Sequence, residues 1–327
     1  MDLAAIIREL GRGAHGARDL PYAEAQTLYG AMLDGRVGDL ELGAIVIALR
    51  MKTETVEEMS GFLTAATMRM PTLWRPHGQT RPIVLPTYNG ARRGANLTPL
   101  LALLLRRFSI PVLVHGHSED YGRVTSAQIF QELGLSPCTH LQQAQRTIDA
   151  HGLAYLPLSL LAPGLDRLLA LRKALGLRNS AHSLVKMLDP FRGDSLLLAA
   201  ATHPDYIALM RGVLNRFGTR ALLFRGCEGE PFANPKRRPG MEYLHDGVCD
   251  VLFDAEHDSL RTLPQLPDTC DAAATVDWMQ RILKGEVSLP LPIAQQLAAC
   301  LYACGRAASI HQAKALVALE CNSLALA

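Results

Sequence analysis

Three short stretches carry the side chains that could do chemistry. Thr87, Asn89 and Gly90, followed by Asn96 and Thr98, mix hydroxyl and amide groups with a glycine, as in a loop that cradles an anion. His115-Gly116-His117-Ser118 sets two imidazoles two residues apart, with Glu119 and Asp120 next. Such a set serves as an acid-base device, as cation ligands with Asp120, or as a structural remnant of an older loop. Lys236-Arg237-Arg238, between Pro235 and Pro239, is the densest cationic run, and Arg92, Arg93, Arg172, Arg178 and Lys186 add to it. Taken singly, each cation reads as a solvated surface charge; gathered on one face, they suit a phosphodiester backbone. His182-Ser183 and Ser118-Asp120 make no credible catalytic triad.

The elements around these stretches follow from periodicity. Residues 83–85 read as a strand, 97–107 as an apolar helix and 110–114 as a second strand that ends at His115. Strand, small-residue loop, helix and strand is the βαβ unit whose ligands sit at the carboxyl ends of its strands. Residues 155–157, 196–200 and 221–224 are further strand candidates, with a helix over 204–217 that continues the parallel sheet. Residues 1–70 read as entirely helical, and 40–50 is apolar nearly all round, the pattern of a helix buried on several sides. Residues 226–247, rich in Gly and Pro, read as an irregular surface loop. Helices over 271–285 and 292–305 and from 310 close the chain.

The totals set bounds. The 327 residues, 49% hydrophobic and 20% charged, can bury a large core. A net charge of +2 is too mild to imply nucleic acid without local clustering. Seven scattered cysteines without a C-x-x-C pair fit reduced thiols in the cytoplasm. No signal-peptide pattern or membrane-length apolar run is present, so the expectation is a soluble cytoplasmic protein with no membrane partner.

In the order of its parts the chain resembles anthranilate phosphoribosyltransferase and its relatives over nearly its full length. The resemblance rests on GRVGDLELGAIVIALRMKTETVEEMSGFLTAA near the start and LAACLYACGRAASIHQAKAL near the end. It implies a small all-helical domain, residues 1–75 joined by helices within about 141–176. A larger α/β domain, 76–140 and 177–327, then carries a mainly parallel central sheet of the nucleoside phosphorylase/phosphoribosyltransferase type. It also implies a homodimer paired through the helical domain.

The site loops depart from the family pattern. G-T-G-G-D with its downstream N-x-S-T becomes Pro86-Thr87-Tyr88-Asn89-Gly90 with Asn96 and Thr98, and K-H-G-N-R becomes Val114-His115-Gly116-His117-Ser118. Thr87, Asn89, Gly90, Asn96, Thr98, His115 and Gly116 are then what is left of a phosphoribosyl pyrophosphate loop. Pro231 and Phe232 align with the family's magnesium-binding Asp-Glu pair, with Glu228 and Glu230 beside them. Arg172 falls where the family has an arginine facing anthranilate.

The resemblance is nearest to a divergent YbiB-type branch that lacks the catalytic motifs and is associated with nucleic-acid binding. The expected function is therefore a dimeric nucleic-acid-binding protein with backbone contacts and low sequence preference, and no cofactor. Its interface is Arg92, Arg93, Arg172, Arg178, Lys186, Lys236, Arg237 and Arg238, and the site holds neither catalytic residue nor metal. The alternative is a phosphoribosyltransferase, a glycosyltransferase (pentosyltransferase) using phosphoribosyl pyrophosphate and magnesium on an aromatic or other nitrogen acceptor.

Overall fold

The computed structural model describes residues 1–13, 16–78, 80–118, 122–261 and 264–321. The apolar runs become one sheet of β1 (Ile83–Thr87), β2 (Val112–Gly116), β3 (Leu153–Pro157), β4 (Leu196–Ala201), β5 (Ala221–Arg225), β6 (Met241–His245) and β7 (Val248–Phe253). Their spatial order is β3-β2-β1-β4-β5-β6-β7. The first five are mutually parallel, and β6 and β7 close the sheet as an antiparallel pair. Helices cover both faces of the parallel part, which is why its strands read as unbroken apolar runs.

Four helices open the chain: α1 (Leu3–Leu10), α2 (Tyr22–Leu33), α3 (Asp39–Lys52) and α4 (Val56–Arg69). A capping box, Thr55 with Glu58, starts α4, and Gly35 in the left-handed region follows the end of α2. Between the first strands lie α5 (Thr98–Arg107), α6 (Ser126–Glu132) and α7 (Leu141–His151); α8 (Leu158–Leu161), α9 (Pro163–Leu175) and α10 (Ala181–Leu184) precede β4. Helix α11 (Pro204–Arg216) joins β4 to β5, and α12 (Ala272–Leu283), α13 (Leu291–Ala303) and α14 (Ile310–Glu320) end the fold. The result is a small helical N-terminal domain beside a larger α/β domain.

The sheet divides the apolar interior in two. Val84, Leu113 and Leu197 point into a core shared with Leu28, Ile45 and Phe62 of the helical domain. Their neighbours Ile83, Leu85, Val112 and Leu196 point the other way, onto α5, α12 and α13. Period-2 alternation thus welds the helical domain to one face of the sheet.

Two expectations need correction. Residues 226–247 are not all loop, since Met241–His245 is a strand paired with β5 and joined to β7 by Asp246-Gly247, both at positive φ. The Asp-Gly pair is the hairpin signal that marks this turn in the sequence. Helix α3 is not buried on several sides either: Leu40 is 89% and Met51 70% exposed, because the helix packs mainly on α1 and its outer face is open.

Helices α2 and α4 pack closely at Gly61, where a Cβ would stand 2.6 Å from the Tyr22 carbonyl oxygen and 2.9 Å from Ala25 Cβ. Gly61→Ala should therefore cost roughly 1–3 kcal/mol of stability by overpacking, although alanine is the better helix former. Urea unfolding checks this, and an equal or higher midpoint would show that glycine does not set the spacing.

Candidate active-site cleft and basic surface

The order in which successive strands join the sheet reverses beside β1, whose neighbours are β2 on one side and β4 on the other. Strand β1 pairs with β2 over five residues but with β4 only at Ile83–Leu196 and Val84–Leu197. Beyond those pairs β1 and β4 part, leaving at their carboxyl ends the crevice where open α/β sheets place their ligands. Thr87, Asn89 and Gly90 line it from β1, and Glu228-Gly229-Glu230 enters it from the loop after β5.

Glu230 is fully buried there. Its Oε1 accepts the backbone N–H groups of Asn89 (2.6 Å) and Gly90 (3.0 Å). Its Oε2 accepts the Thr98 hydroxyl at 3.2 Å and that of Thr87. Thr87 gives its only hydroxyl hydrogen to Glu230, so it accepts from Ser126 Oγ at 2.7 Å. Asn96 donates to the same Ser126 oxygen (3.2 Å) and accepts the Thr98 amide (3.1 Å). The retained Thr87, Asn96 and Thr98 thus form a network around a carboxylate of this chain.

The rest of the segment is held as firmly. Glu228 takes a left-handed φ of 52°, a conformation that costs a non-glycine residue about 1 kcal/mol. Its carboxylate accepts the amides of Arg92 (3.2 Å) and Arg93 (2.9 Å) and lies 3.5 Å from the Arg123 guanidinium. Its carbonyl accepts Asn89 Nδ2 at 2.9 Å, and a Cβ on Gly229 would stand 1.9 Å from that nitrogen. Only glycine fits between them.

Lys186 requires a correction, because it does not belong to a surface. It is 8% exposed, and its ammonium donates to the carbonyls of Ala200 (3.1 Å) and Gly229 (2.9 Å). Burial lowers its pKa to about 8, and the nearby charge of Glu230 opposes that shift. It acts as a buried counter-charge beneath the segment.

Tyr88 also turns inward. Its hydroxyl lies 2.5 Å from Nδ1 of the fully buried His115. Burial holds the His115 pKa down to about 3, against the opposing pull of the Leu188 backbone, so the imidazole is neutral and accepts the phenolic hydrogen at Nδ1, while Nε2 has no hydrogen-bond partner among the described residues. Gly116 lies so close to β1 that a Cβ would stand 1.9 Å from the Thr87 oxygen. The His117 ring packs edge-on against Tyr88, with its Nδ1 3.2 Å from Asp166. Glu119 and Asp120 lie outside the described residues.

The donor set does not suit magnesium. Pro231 and Phe232 offer no side-chain oxygen, and the residues either side of Phe232 are fastened to α13: Gln296 donates to the Pro231 carbonyl at 3.0 Å and accepts the Ala233 amide at 2.7 Å. Phe232 is core. The carboxylate oxygens of Glu230 already accept four donors. No group of three or more His, Cys, Asp or Glu among the described residues could hold a metal ion.

On the outer side of this loop lies a cavity of about 630 Å³, lined by Arg93, Arg225, Lys236, Arg237 and Arg238 among others. Two carboxylates, Glu228 and Glu256, also line it, so cations prevail five to two. The basic run is strapped to the segment after β7: Arg237 donates to the His257 carbonyl (3.0 Å), and Arg238 to that of Asp254 (2.9 Å). Arg238 also pairs with Glu256 at 3.2 Å. Arg92 is exposed beside the cavity, while Arg172 and Arg178 stand apart from its lining, electrostatically close to His182. Arg225 was not among the expected residues. A lone arginine closing an apolar strand gave no sign beyond its place at the carboxyl end of β5.

The buried imidazole makes a pH prediction. The folded pKa of His115 lies below the ordinary value, so the unfolded chain takes the proton first as pH falls. Its stabilising contribution is complete above pH 6.5 and is lost between 6.5 and about 3, at up to about 1.4 kcal/mol per pH unit. Urea titrations from pH 7 to 5 should show a shallower loss for His115→Gln than for wild type; an unchanged slope counts against the neutral imidazole.

Comparison with known proteins agrees with this architecture. Residues 4–69 match the helical bundle domain of the glycosyl transferase family. The Escherichia coli (strain K12) protein YbiB is 43% identical over 318 residues, 97% of this chain and 99% of its own. The anthranilate phosphoribosyltransferase of Persephonella marina is 26% identical over 227 residues, 68% of this chain and 66% of that one. Among solved structures, anthranilate phosphoribosyltransferase from Thermus thermophilus superposes with a TM-score of 0.77 at 23% identity, covering 99% of this chain and 95% of that chain. The Saccharomyces cerevisiae enzyme, in complex with PRPP and Mg, gives 0.66 at 12% identity, covering 99% and 90%. With a near-full-length relative at this identity, a family-specific helical domain and the same fold throughout, the chain belongs to the anthranilate phosphoribosyltransferase-like family and is a relative of YbiB.

Proposed function

We propose that the chain is a cytoplasmic nucleic-acid-binding protein, a dimer that holds the phosphodiester backbone with little regard to base identity. The observation that carries this reading is the basic cavity of Arg93, Arg225, Lys236, Arg237 and Arg238, next to a cradle whose donors already hold Glu230. Cations in a lining that contains no Phe, Tyr or Trp favour backbone contacts over base readout. The pairing surface proposed is the open face of α3, where Leu40 and Met51 border an apolar hollow of about 730 Å³ lined also by Ile7, Leu10, Ile47 and Leu175. Pairing there gives the dimer two basic cavities.

A second reading, phosphoribosyl transfer, is favoured by the fold match and by the retained Thr87, Asn96, Thr98, His115 and Gly116. It requires phosphoribosyl pyrophosphate to displace Glu230.

One titration separates the two. Fluorescence anisotropy with unrelated single- and double-stranded oligonucleotides should give binding that weakens steeply as salt rises. The triple charge reversal Arg93→Glu, Lys236→Glu, Arg237→Glu should weaken it at least about tenfold and flatten the salt slope by roughly one for each lost phosphate contact. Millimolar phosphoribosyl pyrophosphate with magnesium should not compete. No binding at low salt sinks the nucleic-acid reading, unchanged binding in the variant relocates the site, and saturable competition favours the transferase.

Light scattering tests the pairing. Wild type should run at twice the 35.6 kDa chain mass, and Leu40→Glu with Met51→Glu at the single-chain mass. A monomeric wild type removes the dimer from the proposal.

A further inference from the structure

Two backbone amides and two hydroxyls converge on the two oxygens of Glu230, and none of the four donors is free to turn away. The amides of Asn89 and Gly90 are fixed by the chain. The Thr87 hydroxyl is aimed by Ser126, and Thr98 is held by Asn96 through its own amide. Lys186 is buried nearby and acts electrostatically on Glu230. A fixed set of donors with a buried cation behind it is built to hold a negative charge. The group that fills it arrives on a tether more than a hundred residues away in sequence, clamped at both ends by Glu228 and Gln296.

We propose that this pocket is a latent oxyanion-binding site in which Glu230 is the resident ligand, and that removing its carboxylate opens the site to small carboxylates and to inorganic phosphate. The atoms lost in Glu230→Ala, a methylene and a carboxylate, are those of acetate. Added acetate can therefore re-form the four hydrogen bonds without moving the backbone. Phosphate presents the same pair of oxygens to the same donors. The pocket is distinct from the basic cavity, so the nucleic-acid reading can fail while this one holds.

The test is chemical rescue followed by thermal unfolding. Glu230→Ala should melt roughly 5–10 °C below wild type, because four donors are left without their acceptor and buried Lys186 without its nearby opposite charge. Acetate and inorganic phosphate should each restore part of that loss with a saturable concentration dependence, while chloride at equal ionic strength should not. Wild type, its pocket filled, should respond to all three salts alike. A variant that gains no more than wild type from either anion overturns the proposal, and rescue by acetate alone overturns its extension to phosphate. Glu230→Gln decides the matter if Glu230→Ala does not fold. It keeps the shape and loses the charge, so it should melt below wild type and gain nothing from added anions; a melting point equal to that of wild type overturns the proposal.

Discussion

A carboxylate buried at the carboxyl edge of the sheet is the interaction on which the rest of this site depends. Removing such a group from water costs several kcal/mol, and an uncompensated one is not tolerated. Hydrogen bonds to a charged group return on the order of 1.5–3 kcal/mol each, so the four donors around Glu230 outweigh that cost. That balance explains the loop in front of it. Thr87 and Thr98 donate to the carboxylate, and Asn96 orients Thr98. Tyr88 is free to turn away and close the crevice against His115.

The same segment separates two electrostatic environments. Inside, Glu230 faces Lys186; outside, Glu228 gathers the amides of Arg92 and Arg93 and lies beside Arg123. With their amides fixed, the two arginines stand exposed at the rim. The edge of the sheet thus presents a hydrogen-bonded carboxylate within and a net cationic surface without.

Much of this was legible in the sequence, for a physical reason. Strands β1 to β5 are covered on both faces and therefore announce themselves as apolar runs, and the helical opening carries its capping residues in plain sight. Strands β6 and β7 did not, because β6 mixes buried with half-buried positions, most of β7 is exposed on both faces, and Glu242, His245 and Asp250 interrupt the run. The Asp246-Gly247 turn between them was the readable signal. Lys186 was misplaced because a lysine is ordinarily a surface residue, and the carbonyls that hold it belong to residues 14 and 43 positions away. Glu230 lies 141 residues from the amide it caps, and no local pattern reports a contact at that range. The loop's residue types were visible in the sequence, while the carboxylate that its donors hold needed coordinates.

The short pairing between β1 and β4 has a mechanical meaning. Across most of the parallel sheet each strand is laced to the next over five residues, but here the lacing stops after two. The sheet therefore has a seam, with β3-β2-β1 on one side and β4 to β7 on the other. At the open end of that seam Glu230, carried by the β5 side, is fastened to the backbone of the β1 side. A loop of the protein's own chain thus bridges the seam at its open end, where the two halves of the sheet are least laced together.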